Sequence, residues 1–78
     1  MVDIVEGNMY EYIGDIMDVR NDRGMKRMIV TGDKLVKLHD TMTDKMLGRN
    51  WFSIAPYNMK VDVRHRATFA AMLTEDFL

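Results

Sequence analysis

The 78-residue chain contains no cysteine, so no disulfide can staple it and thiolate-based zinc sites are excluded. That absence also fits a reducing compartment. Proline, tryptophan and serine occur once each, as Pro56, Trp51 and Ser53. No apolar run approaches the roughly 20 residues that span a bilayer, which speaks against a membrane protein. The N-terminus, MVDIVEGNM, has two acids and no Lys or Arg, unlike a secretory signal. Net charge is −1, which gives no bulk electrostatic attraction to nucleic acid or an anionic membrane. A soluble, cytoplasmic protein is the expectation.

What is present defines a small globular domain. The apolar fraction of 47% and the charged fraction of 29% separate the chain from disordered sequences. Residues 1–78 form a single domain. A chain this short buries roughly two-thirds of its unfolded surface, and its core supplies about 3–5 kcal/mol of stability. Nine methionines stand out. Met fills irregular gaps or serves adaptable binding surfaces. Filling the core is the simpler use, with some of Met25, Met42 and Met46 as candidates for a partner interface.

Short strands punctuated by turn residues account for most of the chain. Met9–Val19 reads as a first strand in which Gly14 marks a bulge or sharp bend, because the apolar positions change phase beyond it. Asn21-Asp22-Arg23-Gly24 is a turn signal. Met25–Thr31 is the second strand, and Gly32-Asp33 a tight connection. Leu35–Asp40 is the third, with Val36 and Leu38 in one phase and His39 outward. Thr43-Asp44-Lys45 reads as a turn, and Met46–Ile54 as the fourth strand. Met59–Arg64 alternates most clearly, with Met59, Val61 and Val63 inward. The period then changes. Phe69, Met72, Leu73 and Phe77 fall on one helical stripe, which predicts an amphipathic helix over about 65–77, N-capped by Asp62 or Thr68. Glu75 and Asp76 would oppose the dipole at its C-terminal end, so this helix needs packing to hold its last turn.

GNMYEYIGDIMDV as a bent strand, MIVTGDKLVKLHD as a hairpin and NWFSIAPYNMKVDV as a strand, turn and final strand resemble a small SH3-like barrel of the Tudor or KOW kind. The resemblance covers about residues 7–63. Ala55-Pro56-Tyr57-Asn58 stands where such barrels carry a short turn before the last strand. It implies a mainly β fold: a five-stranded SH3-like barrel with one C-terminal amphipathic α-helix. The ALYDY-like start of peptide-binding SH3 domains is missing. KOW domains that bind RNA are usually basic, and this chain is not. Superfolds host unrelated functions.

Catalytic and metal motifs are weak. Two His and scattered Asp show no ligand spacing, and no metal or cofactor is expected. Ser53 lacks a Gly-x-Ser-x-Gly setting. Gly32-Asp33-Lys34 lacks phosphate-loop spacing. The expected function is therefore non-catalytic: a module that binds a protein partner and regulates or inhibits it, in the style of a small viral (for instance phage) modulator of a host factor. Its candidate contacts are Trp51, Phe52, Tyr57, Met42, Met46 and Phe77, with the helical stripe as a possible groove-binding face. A nucleic-acid-binding barrel is the alternative, through Arg20, Arg23, Lys26 and Arg27 and through Lys60, Arg64 and Arg66. Net charge and interleaved acids disfavour it. A homodimer formed by a strand edge or the helix is the third reading.

Overall fold

Alternation of apolar and polar residues from Met9 to Asp62 produces strands, because successive side chains in an extended chain point to opposite faces. The computed structural model describes residues 1–76. Its elements are β1 (Met9–Tyr12), β2 (Met17–Asn21), β3 (Lys26–Ile29), β4 (Lys34–Lys37), α1 (Met42–Met46), β5 (Trp51–Ile54), β6 (Met59–Asp62), α2 (Arg66–Ala70) and β7 (Leu73–Glu75). The strands form one antiparallel sheet in the order β3-β2-β6-β5-β4-β1-β7. No described helix is long and apolar enough to cross a membrane.

The expected five-stranded closed barrel is thus corrected to an open seven-stranded sheet with two short helices, whose edges β3 and β7 do not pair. Two local causes account for the extra strands. The stretch expected as one bent strand is divided around Gly14: β1 pairs with β4 and β7, whereas β2 pairs with β3 and β6. Only hydrogen fits at Gly14, because a Cβ there would stand 2.7 Å from the Tyr12 hydroxyl oxygen and 2.9 Å from the Met72 sulfur. The second cause lies at the C-terminal end. The expected helix over 65–77 stops at Ala70, its N-cap is His65 rather than Asp62 or Thr68, and Leu73–Glu75 is a strand. The acids that oppose a helix dipole find a better place in extended chain. Leu73 enters the core opposite Tyr12, and the Asp76 carboxylate lies 3.2 Å from Lys34 Nζ. Phe77 lies outside the described residues.

The sheet wraps around one core. Ile29 from edge strand β3 and Leu73 from edge strand β7 belong to the same buried cluster as Tyr10, Leu35, Phe52 and Val61. From α2, Phe69 stacks on Tyr12 at 5.7 Å and meets Phe52 edge-on at 5.3 Å. Each such aromatic pair adds about 0.5–1.5 kcal/mol beyond its buried area. The N-terminal segment straps across this core: Val2 and Ile4 pack on it, and the Tyr10 hydroxyl accepts from the Val5 amide and donates to the Asp3 carbonyl.

Four local expectations change. The expected hairpin over MIVTGDKLVKLHD does not form, because β3 pairs with β2 and β4 with β1 and β5. In β4 the inward residues are Leu35 and Lys37, not Val36 and Leu38, so the exposure of His39 reflects its place beyond the strand's end. The turn expected at Thr43-Asp44-Lys45 is the body of α1. It is started by a capping box in which the Asp44 amide donates to Thr41 Oγ1 (3.1 Å) and the Thr41 amide to the Asp44 carboxylate (2.9 Å). The fourth strand consequently begins at Trp51 instead of Met46.

Candidate functional site

Because Lys37 occupies an inward position of β4, its ammonium is only 4% exposed. All three of its donors are used: Asp40 Oδ2 at 2.8 Å, the Leu38 carbonyl at 2.6 Å and the Trp51 carbonyl at 3.2 Å. Asp40 Oδ1 accepts the Trp51 amide at 2.9 Å. This buried pair ties the segment after β4 to the start of β5. Nearby, Asp62 is buried as well. Its Oδ1 accepts the Asn50 amide (3.0 Å) and its Oδ2 the Arg64 Nε (2.8 Å). The Asn50 side chain donates to the Val63 carbonyl at 2.7 Å.

These internal bonds shape two adjoining clefts. The larger, about 580 Å³, runs between the β4–α1 segment and the β6–α2 bend, where Lys45, Arg49, Arg66, His39 and His65 line it. His39 Nδ1 stands 3.3 Å from the Glu6 carboxylate at its rim. The smaller, about 330 Å³, is lined by Arg20, Lys26, Arg64 and again His65. The two His, distant in sequence, therefore share a cleft. Among the described residues no three His, Cys, Asp or Glu side chains are placed to hold a metal ion.

Electrostatics divide the molecule. Around Lys34, acids collect from β1 and from the ends of β4 and β7: Glu11 at 2.9 Å and Asp76 at 3.2 Å, with Asp33 and Glu75 adjacent in the chain. Hydrogen bonds from Lys34 to Glu11 and Asp76 hold its ammonium above the ordinary lysine range. On α1, the Thr41 amide and then the Trp51 indole hold the Asp44 carboxyl below the ordinary carboxylate range. Burial, followed by the charge of Asp15, pushes the Tyr12 phenol up.

The expected contact residues do not form one surface. Phe52 is fully buried, which removes it as a partner contact: β5 alternation turns it inward and Trp51 outward. Trp51 is half-buried with Lys60 Nζ 4.6 Å above its ring. Tyr57 is 89% exposed, but it follows β5 whereas α1 precedes it, so it stands apart from Met42 and Met46. Of the expected basic residues, Arg20, Lys26 and Arg64 meet at the smaller cleft and Arg66 joins the larger. Arg23 and Arg27 belong to the β2–β3 hairpin outside both linings, and Lys60 is committed to Trp51. Lys45 and Arg49 are the cleft residues that sequence reasoning passed over, and it weighed the two His without bringing them together. Asp62 read there as an interleaved acid among Lys60, Arg64 and Arg66, and only its burial shows otherwise.

Comparison with protein families, with curated proteins and with solved structures finds no match to this chain. The resemblance to SH3-like barrels is thereby corrected on both counts: the sheet is open, and no solved structure matches it.

Proposed function

We propose that this protein is a non-catalytic module that binds another protein through α1 and regulates or blocks that partner. One observation carries the reading. α1 buries no residue, yet it is capped by a reciprocal pair of hydrogen bonds and exposes Met42 and Met46 at 73% and 80%, with Leu47 half-exposed after it. Short helices owe their stability to packing an apolar face. Among the described residues, none buries the apolar side chains of this one.

Met42 and Met46 stand four apart and share a helix face. Their flexible thioethers suit an apolar groove on a partner. Lys45 and Arg49 flank them, which favours a groove with an acidic rim. Ser53 lies on β5 between Val36 and Lys60, outside the cleft where both His sit, so the arrangement supports binding over nucleophilic catalysis.

Burying both Met side chains would contribute about 3–6 kcal/mol to a complex. Met42→Ser with Met46→Ser should leave the folding stability within about 0.5 kcal/mol of wild type, as exposed positions do. The same pair should weaken a saturable partner complex by about 100-fold or more. Quantitative capture with both proteins tests this. A partner held equally by the double variant refutes it.

A further inference from the structure

We propose that the two adjoining clefts form one track for the phosphate backbone of a nucleic-acid strand. Besides the buried Lys37, six cations line them: Lys45, Arg49 and Arg66 in the larger, and Arg20, Lys26 and Arg64 in the smaller. His65 lines both and joins them. Acids offset part of this charge: Asp62 lies 2.8 Å from Arg64, Asp18 3.7 Å from Lys26 and Asp44 3.8 Å from Arg49. Asp40 is 8% exposed and both its oxygens are engaged inside the protein, by Lys37 and the Trp51 amide. Among the described residues, Lys45, Arg66 and Arg20 have no carboxylate within 4.0 Å. Glu6 and Asp18 are the exposed acids of the two rims. The chain's net charge of −1 conceals the track, because acids such as Glu11 and Asp76, which pair with Lys34, lie outside both linings.

Two of the guanidinium groups are fixed in advance. Arg64 is held between the Asp62 carboxylate and the Leu47 carbonyl (2.7 Å), and Arg66 donates to the Ile4 carbonyl (2.7 Å). The Arg66 anchor is a neutral carbonyl, which orients the side chain without neutralising it. Pre-positioned arginines lose less freedom when they meet a phosphate. Among the described residues, no Phe, Tyr or Trp lines either cleft, so binding rests on phosphate contacts and not on base stacking.

The full chain is titrated against fluorescein-labelled single-stranded DNA of mixed sequence, by anisotropy over a KCl series. Each engaged cation contributes about −0.7 to the slope of log K against log salt, so full engagement gives about −4. Lys45→Gln with Arg49→Gln should flatten the slope by about 1.4, and so should Arg20→Gln with Lys26→Gln. Lys34→Gln and the Met42→Ser/Met46→Ser variant should leave it unchanged, which separates this track from the α1 face. Circular dichroism melts verify that each variant is folded. Absent or salt-insensitive binding overturns the proposal. So does a slope that either Gln pair leaves unaltered.

Discussion

Replacing Gly14 with Ala tests how the sheet divides between β1 and β2. A Cβ at this position meets the Tyr12 hydroxyl oxygen at 2.7 Å, Tyr12 Cζ at 2.8 Å and the Met72 sulfur at 2.9 Å. Met72 can swing aside, but Tyr12 cannot. Its ring is fully buried, stacked on Phe69, and its hydroxyl donates to the Asp15 carbonyl. Overpacking of this kind costs about 1–3 kcal/mol. A loss of about 2 kcal/mol lowers the melting temperature of a domain this size by about 8–16 °C. That is about half the stability expected of so small a core. Thermal and urea melts followed by circular dichroism measure it. Tyr12→Phe removes the closest atom and frees the ring to retreat, so the double variant should be less damaged than the sum of the singles by at least about 0.5 kcal/mol. A Gly→Ala change free of clash would raise stability by about 0.4–1 kcal/mol. A Gly14→Ala protein that melts at or above wild type, or strict additivity with Tyr12→Phe, refutes the close-approach argument.

Lys37→Met leaves the Asp40 carboxylate buried without its cation. Breaking a buried pair from one side costs about 3–5 kcal/mol, so the variant should be largely unfolded in water, and a cooperative urea transition near the wild-type midpoint would contradict this. Acid should loosen α1 through Asp44. Its folded-state pKa is depressed, so its contribution is present above the ordinary Asp value of about 3.9 and is lost as pH falls through the lower, folded-state value. The protection of the amides across Met42–Met46, measured against their intrinsic exchange rates, should therefore fall in acid, and Asp44→Asn should abolish that dependence. Protection that tracks the rest of the chain would refute it.

Strand-forming stretches were legible wherever alternation coincided with one buried face. Met59–Arg64 carried this most clearly, and Val61 and Val63 are buried as expected. The closure of the sheet was not legible, because alternation encodes which side faces in and says nothing about whether two edges meet. Phe69 and Leu73 illustrate a second limit. Both enter the core as the helical stripe implied, but one comes from α2 and the other from β7. Spacings of three and four do not distinguish one continuous helix from a helical turn followed by a strand. α1 did carry a local signal, since Thr41 and Asp44 stand at capping-box spacing, with Asp in place of the usual Glu or Gln. The clefts are wholly tertiary. Neither the meeting of His39 with His65 nor the burial of Asp40 and Asp62 follows from any neighbour in sequence.

The pairing of β1 with β7 also sets an order of assembly. Tyr12 and its partner Leu73 lie about sixty residues apart. At about 5–20 residues per second, a ribosome takes roughly 3–12 s to make the intervening chain. During that interval β1 can engage β4 but presents its other flank to whatever is nearby, and Tyr12 and Phe52 await Phe69. The β4–β5–β6 meander, joined by nearer partners, can form first. β7 then acts as a latch on a nascent chain, and the vulnerable period of β1 lasts until Leu73–Glu75 has been made.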